Sequence, residues 1–88
     1  MKTKFKMHSD PGHGWLAVSA NHIFELDLQD KISPYSYQKG KTIYLEEDMD
    51  ASTFLKAYEE RYKVKPEIVC LSPKNKNHPI RSYNPYKR

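Results

Sequence analysis

The side chain best suited to chemistry in this chain is that of His13, in the segment Asp10-Pro-Gly-His-Gly14, which Trp15 follows. An imidazole can bind a metal ion or transfer a proton near neutral pH. The segment is also typical of a turn, because its proline fixes one φ angle, its glycines permit positive φ, and its aspartate can accept hydrogen bonds from backbone amides. A turn accounts for most of the segment, but not for the histidine and the tryptophan in it.

Other residue patterns that support catalysis are missing from the sequence. Catalytic zinc needs three protein ligands, a position open to water and a general base. His8, His13 and His22 lack the paired cysteines or helical spacing of structural zinc ligands, so we interpret each as a polar loop residue with local hydrogen bonds. The chain has three glycines and contains neither a Gly-x-Ser-x-Gly motif nor a phosphate-binding glycine loop. We therefore predict no catalytic residue and no cofactor.

The elements that must position His13 are short strands. Alternating polar and apolar residues predict a strand over Lys4–His8, and the apolar segment Gly14–Val18 predicts a second. Ser36–Gln38 and Thr42–Glu46 flank a glycine-containing turn, which predicts a hairpin. One face of this hairpin is expected to carry Tyr35, Tyr37, Ile43 and Leu45, with Tyr44 on the other face.

The second half of the chain predicts two further strands. Glu67–Leu71 is typical of a central, buried strand, in which Cys70 would act as a small inert hydrophobe. As the single cysteine of the chain, Cys70 can form no internal disulfide. Residues 80–83 (Ile-Arg-Ser-Tyr) predict an edge strand, and residues 84–88 are expected to fray.

The clearest helix is predicted over about residues 51–63. Asp48 or Asp50 would cap its start, and Pro66 prevents its continuation. A shorter helix over about residues 20–26 would begin after Ser19, although the alternation of residues 24–28 also fits a strand. The buried stripe of the main helix would consist of Phe54, Leu55, Tyr58 and Tyr62.

Length and composition indicate a single α+β domain over residues 1–88. With 38% hydrophobic and 12% aromatic residues, the chain can build one thin core that uses tyrosine rings. We predict an antiparallel sheet of about four or five short strands, packed against the main helix and the possible short helix at about residues 20–26.

Charge is distributed unevenly along the chain, which has a net charge of +4. Residues 1–50 contain six lysines and eight acidic residues, whereas residues 51–88 contain nine basic and three acidic residues. Such asymmetry bears on partners rather than on the fold. The sequence has no apolar stretch of about 18 residues, so we expect no membrane association and a cytoplasmic location.

Several segments together resemble a family of small, uncharacterised bacteriophage and prophage proteins. They are Asp10-Pro-Gly-His-Gly-Trp-Leu16, Lys31-Ile-Ser-Pro-Tyr-Ser-Tyr-Gln38, Tyr44-Leu-Glu-Glu-Asp48 with Asp50-Ala51 and Phe54, and Ile80-Arg-Ser-Tyr83. The similarity spans most of the chain in order. It implies a phage origin, one compact domain and the cytoplasm of a bacterial host. Small phage proteins of this type often bind host proteins, and anti-restriction and anti-CRISPR inhibitors are among them.

The segment Asp10-Pro-Gly-His-Gly14 is also similar to the first metal motif of zinc-dependent N-acetylmuramoyl-L-alanine amidases. That resemblance implies His13 and Glu25 as metal ligands. It covers five residues, the apolar run Trp15–Val18 replaces the glycine-rich loop of that family, and a complete catalytic domain would be about twice this length. We therefore keep a zinc-dependent hydrolase only as a remote alternative and predict no metal site.

Two hypotheses of function follow from the sequence. The first is stoichiometric, non-catalytic binding to a host or phage protein, because Tyr, Trp and Arg predominate among the residues that dominate binding energy. Its candidate contacts are Trp15, Tyr35, Tyr37, Arg81 and Tyr83. The alternative is nucleic-acid binding by a basic C-terminal segment with interleaved tyrosines. Its candidate contacts are Lys74, Lys76, Arg81, Tyr83, Tyr86, Lys87 and Arg88. The oligomeric state and the partner's identity stay open.

Overall fold

Six strands form a mixed sheet in the computed structural model, which describes residues 4–71, 75 and 78–87. The strands are β1 (Lys4–Ser9), β2 (Gly14–Ser19), β3 (Tyr37–Lys39), β4 (Thr42–Glu46), β5 (Glu67–Cys70) and β6 (Asn84–Pro85). Two α-helices, α1 (Ala20–Glu25) and α2 (Asp50–Tyr62), accompany them, with a 3₁₀-helix over Pro79–Ser82. The α+β class and the main helix are confirmed.

The strand order is β5-β1-β2-β4-β3-β6, and β5 lies parallel to β1 while the other pairs are antiparallel. The predictions of an all-antiparallel sheet and of a central β5 are therefore wrong. After β4, the chain passes through α2 across one face of the sheet and then forms β5 on the outer side of β1. Parallel strands require a crossover connection of this kind. At this edge Val69 and Cys70 are exposed, so Cys70 is not the buried hydrophobe expected from its apolar neighbours.

The core lies between the helices and one face of the sheet. That face carries Phe5, Leu16, Val18, Ile43 and Leu45, all buried. The Phe5 ring meets Phe54 and Tyr58 of α2 edge to face, with ring centroids 5.2 and 5.8 Å apart. In the predicted stripe of α2, Phe54 and Tyr58 are fully buried, whereas Leu55 and Tyr62 pack at its margin.

Helix α1 forms as predicted from its N-terminal cap. The Ser19 hydroxyl accepts a hydrogen bond from the backbone N–H of His22 at 3.2 Å, which satisfies one donor of the first turn. The chain then turns at Asp27, whose φ is 57°, so the alternation of residues 24–28 forms no strand. Burial of His22 and Ile23 anchors α1 to the core.

Helix α2 is capped differently from the prediction. Neither Asp48 nor Asp50 caps it; the carboxylate of Glu46 instead accepts hydrogen bonds from the backbone N–H groups of Asp48, Met49 and Asp50, at 3.2, 2.8 and 3.3 Å. Asp50 is drawn inward, because its Oδ2 accepts hydrogen bonds from the Ser33 and Ser36 hydroxyls at 2.7 and 2.5 Å and from the Ser33 N–H at 3.0 Å. These bonds hold the loop over residues 33–36 against the helix.

The C-terminal segment is ordered differently from the prediction. Residues 79–82 form a 3₁₀-helix rather than an edge strand, because proline begins it and His78 Nδ1 accepts the N–H of Ile80 at 3.2 Å. Of the tail expected to fray, Asn84 and Pro85 pair with β3, and Tyr86 is buried with its hydroxyl donating to the Gln29 carbonyl at 2.8 Å. Arg88 lies outside the described residues.

Within the described ranges, neither α1 nor α2 has the length and apolar character that a membrane crossing requires.

Candidate functional site

The sheet face turned away from the helices carries most of the polar and aromatic residues that sequence reasoning selected. Successive side chains of a strand point to opposite faces, so residues between the core positions share this second face, which we call the open face. The register aligns His8, Trp15 and Glu46 in one row across β1, β2 and β4. Tyr44 and Tyr37 are opposite each other on β4 and β3, so Tyr37 lies on the open face and not, as predicted, beside Ile43.

A cavity of about 210 Å³ opens at one end of the open face. Its apolar walls are Trp15, Tyr35, Tyr37, Pro34 and Pro85, and its polar groups are His13, Glu46 and Arg81. Four of the five predicted protein contacts therefore lie in one cavity, although they are far apart in the sequence. We call it the aromatic cavity.

The accessibility of these contacts differs. Tyr35 is 79% exposed, whereas Trp15 is 2% exposed and forms the floor, so Trp15 is not the surface contact that the sequence suggested. The fifth candidate, Tyr83, lies outside the cavity, where its ring centroid is 5.3 Å from that of Tyr44. The cavity thus offers a partner chiefly Tyr35, Tyr37 and the polar rim.

An ion pair between Asp10 and Arg81 fixes the polar side of the cavity. Arg81 Nε donates to Asp10 Oδ2 at 2.5 Å and Nη2 donates to Oδ1 at 2.9 Å. The Asp10 side chain is fully enclosed, and it also accepts the N–H groups of Gly12, His13 and His78 at 3.0, 3.0 and 2.9 Å. The Arg81 guanidinium and these amides hold the pKa of Asp10 far below its usual range, despite the opposing effect of burial.

The aspartate therefore does more than close the predicted turn. It joins the β1–β2 loop to the C-terminal 3₁₀-helix, which lies about 70 residues away in sequence. The hydrogen bond to Asp10 raises the pKa of Arg81, so this side chain keeps its charge at any pH at which the protein is folded.

The geometry also explains why His13 and Trp15 occur in this segment, which a turn alone does not require. The His13 ring stacks on Trp15 at an interplanar angle of 18°, and the Arg81 guanidinium carbon lies 5.5 Å from the Trp15 ring centroid. Arg81 Nη2 is 3.0 Å from His13 Nδ1. Because a guanidinium only donates, His13 Nδ1 accepts and the proton of a neutral ring sits on Nε2. His13 and Trp15 thus hold the arginine in place.

The acidic rim of the cavity belongs to the start of α2. The Glu46 carboxylate accepts three backbone N–H groups at the positive end of the α2 dipole, which stabilises its negative charge. Glu47 and Asp48 are exposed, and Glu47 extends over Gly14, where a Cβ atom would approach its carboxylate to 2.6 Å. A partner would therefore meet exposed carboxylates beside aromatic rings.

The two residues implied as metal ligands are not brought together. His13 is on the open face, whereas Glu25 ends α1 on the covered face, where its carbonyl accepts from Arg61 Nη1 at 3.1 Å. His8 also lies on the open face, and the His22 ring packs against Phe5 in the core. Among residues 4–71, 75 and 78–87, no group of three or more His, Cys, Asp or Glu side chains is arranged to hold a metal ion.

Of the predicted nucleic-acid contacts of the C-terminal segment, those that the structure describes do not form one surface. Tyr86 is buried and cannot stack on a base, and Arg81 is committed to Asp10. Tyr83 is partly exposed and Lys87 is exposed. Lys74, Lys76 and Arg88 lie outside the described residues.

Sequence reasoning missed several residues of the cavity. Pro34 and Pro85 lie in segments that were selected only for their tyrosines, and they meet because β6 pairs with β3. Glu46 ends the predicted strand Thr42–Glu46, and only the register of β2 with β4 places it beside Trp15. The one signal in the sequence that pointed to the cavity was the presence of His13 and Trp15 in a segment whose turn did not account for them.

No protein family, no curated protein and no solved structure matches this chain. The function proposed below is therefore based on the chemistry of the aromatic cavity.

Proposed function

We propose that this protein acts by stoichiometric, non-catalytic binding to another protein, and that the aromatic cavity is the contact site. The observation that carries the proposal is the convergence of Tyr35, Tyr37 and the polar group of Arg81 on one cavity whose floor is Trp15. Tyr, Trp and Arg are the residues most enriched where binding energy concentrates. In keeping with the resemblance in its sequence, we propose a phage-encoded accessory protein that engages a host or phage protein in the bacterial cytoplasm, as a host-takeover or anti-defence inhibitor would.

Rigidity of the cavity supports this function. Arg81 is held by two hydrogen bonds to Asp10 and by its position over Trp15, so little side-chain freedom is left to lose on binding. The loop that carries Tyr35 is fixed by the bonds from Ser33 and Ser36 to Asp50. A preorganised surface binds more tightly than a flexible one of equal area.

Size and charge indicate what a partner would present. The cavity of about 210 Å³ is smaller than the roughly 300–1,000 Å³ of small-molecule sites, so one large side chain of a protein fits it better than a cofactor does. Aromatic and proline walls suit an aromatic or proline side chain. The exposed carboxylates of Glu47 and Asp48 complement a neighbouring basic residue.

The exposed thiol of Cys70 supports the proposed compartment. An accessible, unpaired cysteine persists in a reducing cytoplasm, whereas oxidising compartments favour disulfide formation.

Affinity capture with matched variants tests the proposal. Tyr35→Ala removes a ring that is 79% exposed, and Phe24→Ala removes a ring that is 65% exposed on α1, across the sheet from the cavity. Baits of the wild type and both variants are incubated with lysate of a bacterial host, with and without nuclease treatment. A protein retained by the wild type is then purified and titrated by calorimetry.

We expect 1:1 binding by the wild type and by Phe24→Ala, and affinity weakened by about tenfold or more in Tyr35→Ala, as for a hot-spot residue. Equal affinity of all three proteins, or retention that disappears after nuclease treatment, would contradict the proposal.

A further inference from the structure

We propose that the centre of the open face binds single-stranded nucleic acid, at a site separate from the aromatic cavity. Two observations carry this inference. Three partly exposed rings, those of His8, Tyr44 and Tyr83, follow one another across the sheet, and lysines flank them at both ends. We call this set the ring row.

The ring row is continuous. The His8 and Tyr44 centroids are 5.9 Å apart, and the Tyr44 and Tyr83 centroids are 5.3 Å apart. Between β1 and β4, strand β2 places the small side chain of Ala17 opposite Tyr44. Ala17 adds little bulk beside the partly exposed Tyr44 ring, and stacking by a base requires such access.

Positive charge lies at both ends of the ring row. Lys6 of β1 pairs with Ala17, which pairs with Tyr44, so Lys6 shares a row of the sheet with that ring. At the other end, Lys39 Nζ lies 4.8 Å from the Tyr83 ring centroid. Three strand spacings separate β1 from β3, which corresponds to about 14 Å across the sheet. Both lysines are exposed, and a short stretch of single strand could contact both of them.

Two of the carboxylates near the ring row are engaged by other groups of the protein. Glu46 accepts three backbone N–H groups of α2, and Asp10 binds Arg81. Glu67 lies opposite Lys4 at the far edge of the sheet. Of the exposed carboxylates, Glu67 lies on the edge strand β5 and Glu47 lies over Gly14 at the end of β2, so lysines and rings predominate at the centre of the open face among the residues described.

Rings and lysines together favour a single strand over other anions. Lysines neutralise phosphates of any nucleic acid, whereas an aromatic face gains from stacking only when a base is unpaired. An acidic protein would use the lysines but not the ring faces. Duplex DNA and acidic polypeptide are therefore informative competitors.

The test is fluorescence anisotropy with a labelled oligothymidylate at about 50 mM salt, where electrostatic binding is strong. Lys6→Gln/Lys39→Gln removes the two flanking charges, and Lys56→Gln/Lys63→Gln removes two exposed charges from the α2 region, on the covered side of the sheet. Both double variants lower the net charge equally. All four positions are exposed, so the fold is expected to persist, which thermal unfolding verifies.

We expect the open-face double variant to bind about tenfold more weakly and its salt dependence, the slope of log K against log [salt], to fall in magnitude by about 1.4. The α2 double variant should change affinity less than about twofold, because its charges are screened over that distance. Tyr83→Leu should weaken binding about fivefold or more through lost stacking. Tyr35→Ala should bind normally, which separates this proposal from that of protein binding.

Three results would overturn the proposal: no binding at low salt, equal weakening by the two double variants, or competition by duplex DNA or polyglutamate as effective as that by the oligothymidylate. The last result would assign the lysines to nonspecific attraction of anions. Tight, stacking-dependent binding of the single strand alone would support the proposal.

Discussion

Asp10 is the residue on which the polar side of the site depends. Five donors from three parts of the chain converge on its enclosed carboxylate, those of Gly12, His13, His78 and the Nε and Nη2 groups of Arg81. Buried charge is tolerated only when it is paired and hydrogen-bonded. The single negative charge thus keeps Arg81 over Trp15 and shapes the aromatic cavity.

Asp10→Asn should therefore detach the C-terminal segment. Asparagine keeps the size of the side chain but carries no negative charge, and its amide nitrogen cannot accept a hydrogen bond from the guanidinium. We therefore expect a lower midpoint of thermal unfolding. Trp15 is the one tryptophan and lies beneath Arg81, so its emission should shift to the red as water reaches it. The exposed Asp27→Asn is the matched control and should leave both properties unchanged.

The difference between wild type and Asp10→Asn should depend on pH. Since folding lowers the pKa of Asp10, the ion pair's contribution to stability is present above the unfolded pKa, near 3.8, and is lost as pH falls below it toward the folded pKa. The two proteins should become equally stable in strong acid. A difference that grows as the pH falls would contradict this assignment.

At the scale of elements, the start of α2 organises the loop that lines the cavity. Asp50 belongs to the first turn of α2 but binds Ser33 and Ser36, so the helix and the loop form one unit. Glu46 of β4 caps the same helix from the neighbouring strand. The loop that carries Tyr35 therefore keeps its place only while the start of α2 stays packed in position.

Asp50→Ala should destabilise the protein and also loosen the loop that carries Tyr35 at the wall of the aromatic cavity. Three donors to its carboxylate would lose their acceptor, and we expect a loss of about 2–4 kcal/mol in the free energy of unfolding, since each unsatisfied buried donor costs about 1–3 kcal/mol. Ser52→Ala, an exposed position two residues further on, should change stability by less than about 0.5 kcal/mol. Urea unfolding at neutral pH measures both. Equal effects of the two variants would show that the loop does not depend on Asp50.

At the scale of the whole molecule, the C-terminal segment closes over the first hairpin. His78 packs against His8 with ring centroids 5.3 Å apart, beside the pairing of Asp10 with Arg81. Burial lowers the pKa of His8, and the charges of His78 and Lys6 lower it further. The Tyr44 ring also packs against His8, with ring centroids 5.9 Å apart.

Stability should consequently fall in mild acid. The folded pKa of His8 is below its usual value of 6.5, so the unfolded chain binds more protons, and stability is lost as pH falls from about 6.5 through the folded pKa. His8→Gln should flatten this dependence in thermal unfolding measured between pH 7 and pH 5. An unchanged slope in His8→Gln would mean that other groups cause it.

The sequence predicted those elements whose residues repeat with a clear period. The apolar spacing of α2, the Ser19 cap of α1 and the turn at Gly40, where φ is 61°, are local signals, and the corresponding elements are confirmed. The place of β5 depends on a crossover, which no local pattern encodes. Asp50 looked like a cap because its partners, Ser33 and Ser36, are distant in sequence.

The candidate site could be predicted in its composition but not in its assembly. Aromatic and arginine content selected Trp15, Tyr35, Tyr37 and Arg81, four residues that do line one cavity. The role of Trp15 as a buried floor and the commitment of Arg81 to Asp10 result from the long-range return of the C-terminal segment. Hydropathy and spacing carry no information about such a return.

The parallel pairing of β1 with β5 also bears on biosynthesis. Strand β1 is translated well before residues 67–70, so it leaves the ribosome before its outer neighbour in the sheet exists. Until β5 emerges, the nascent hairpin of β1 and β2 presents an unpaired strand edge, so a chaperone that shields exposed strands would act in that interval.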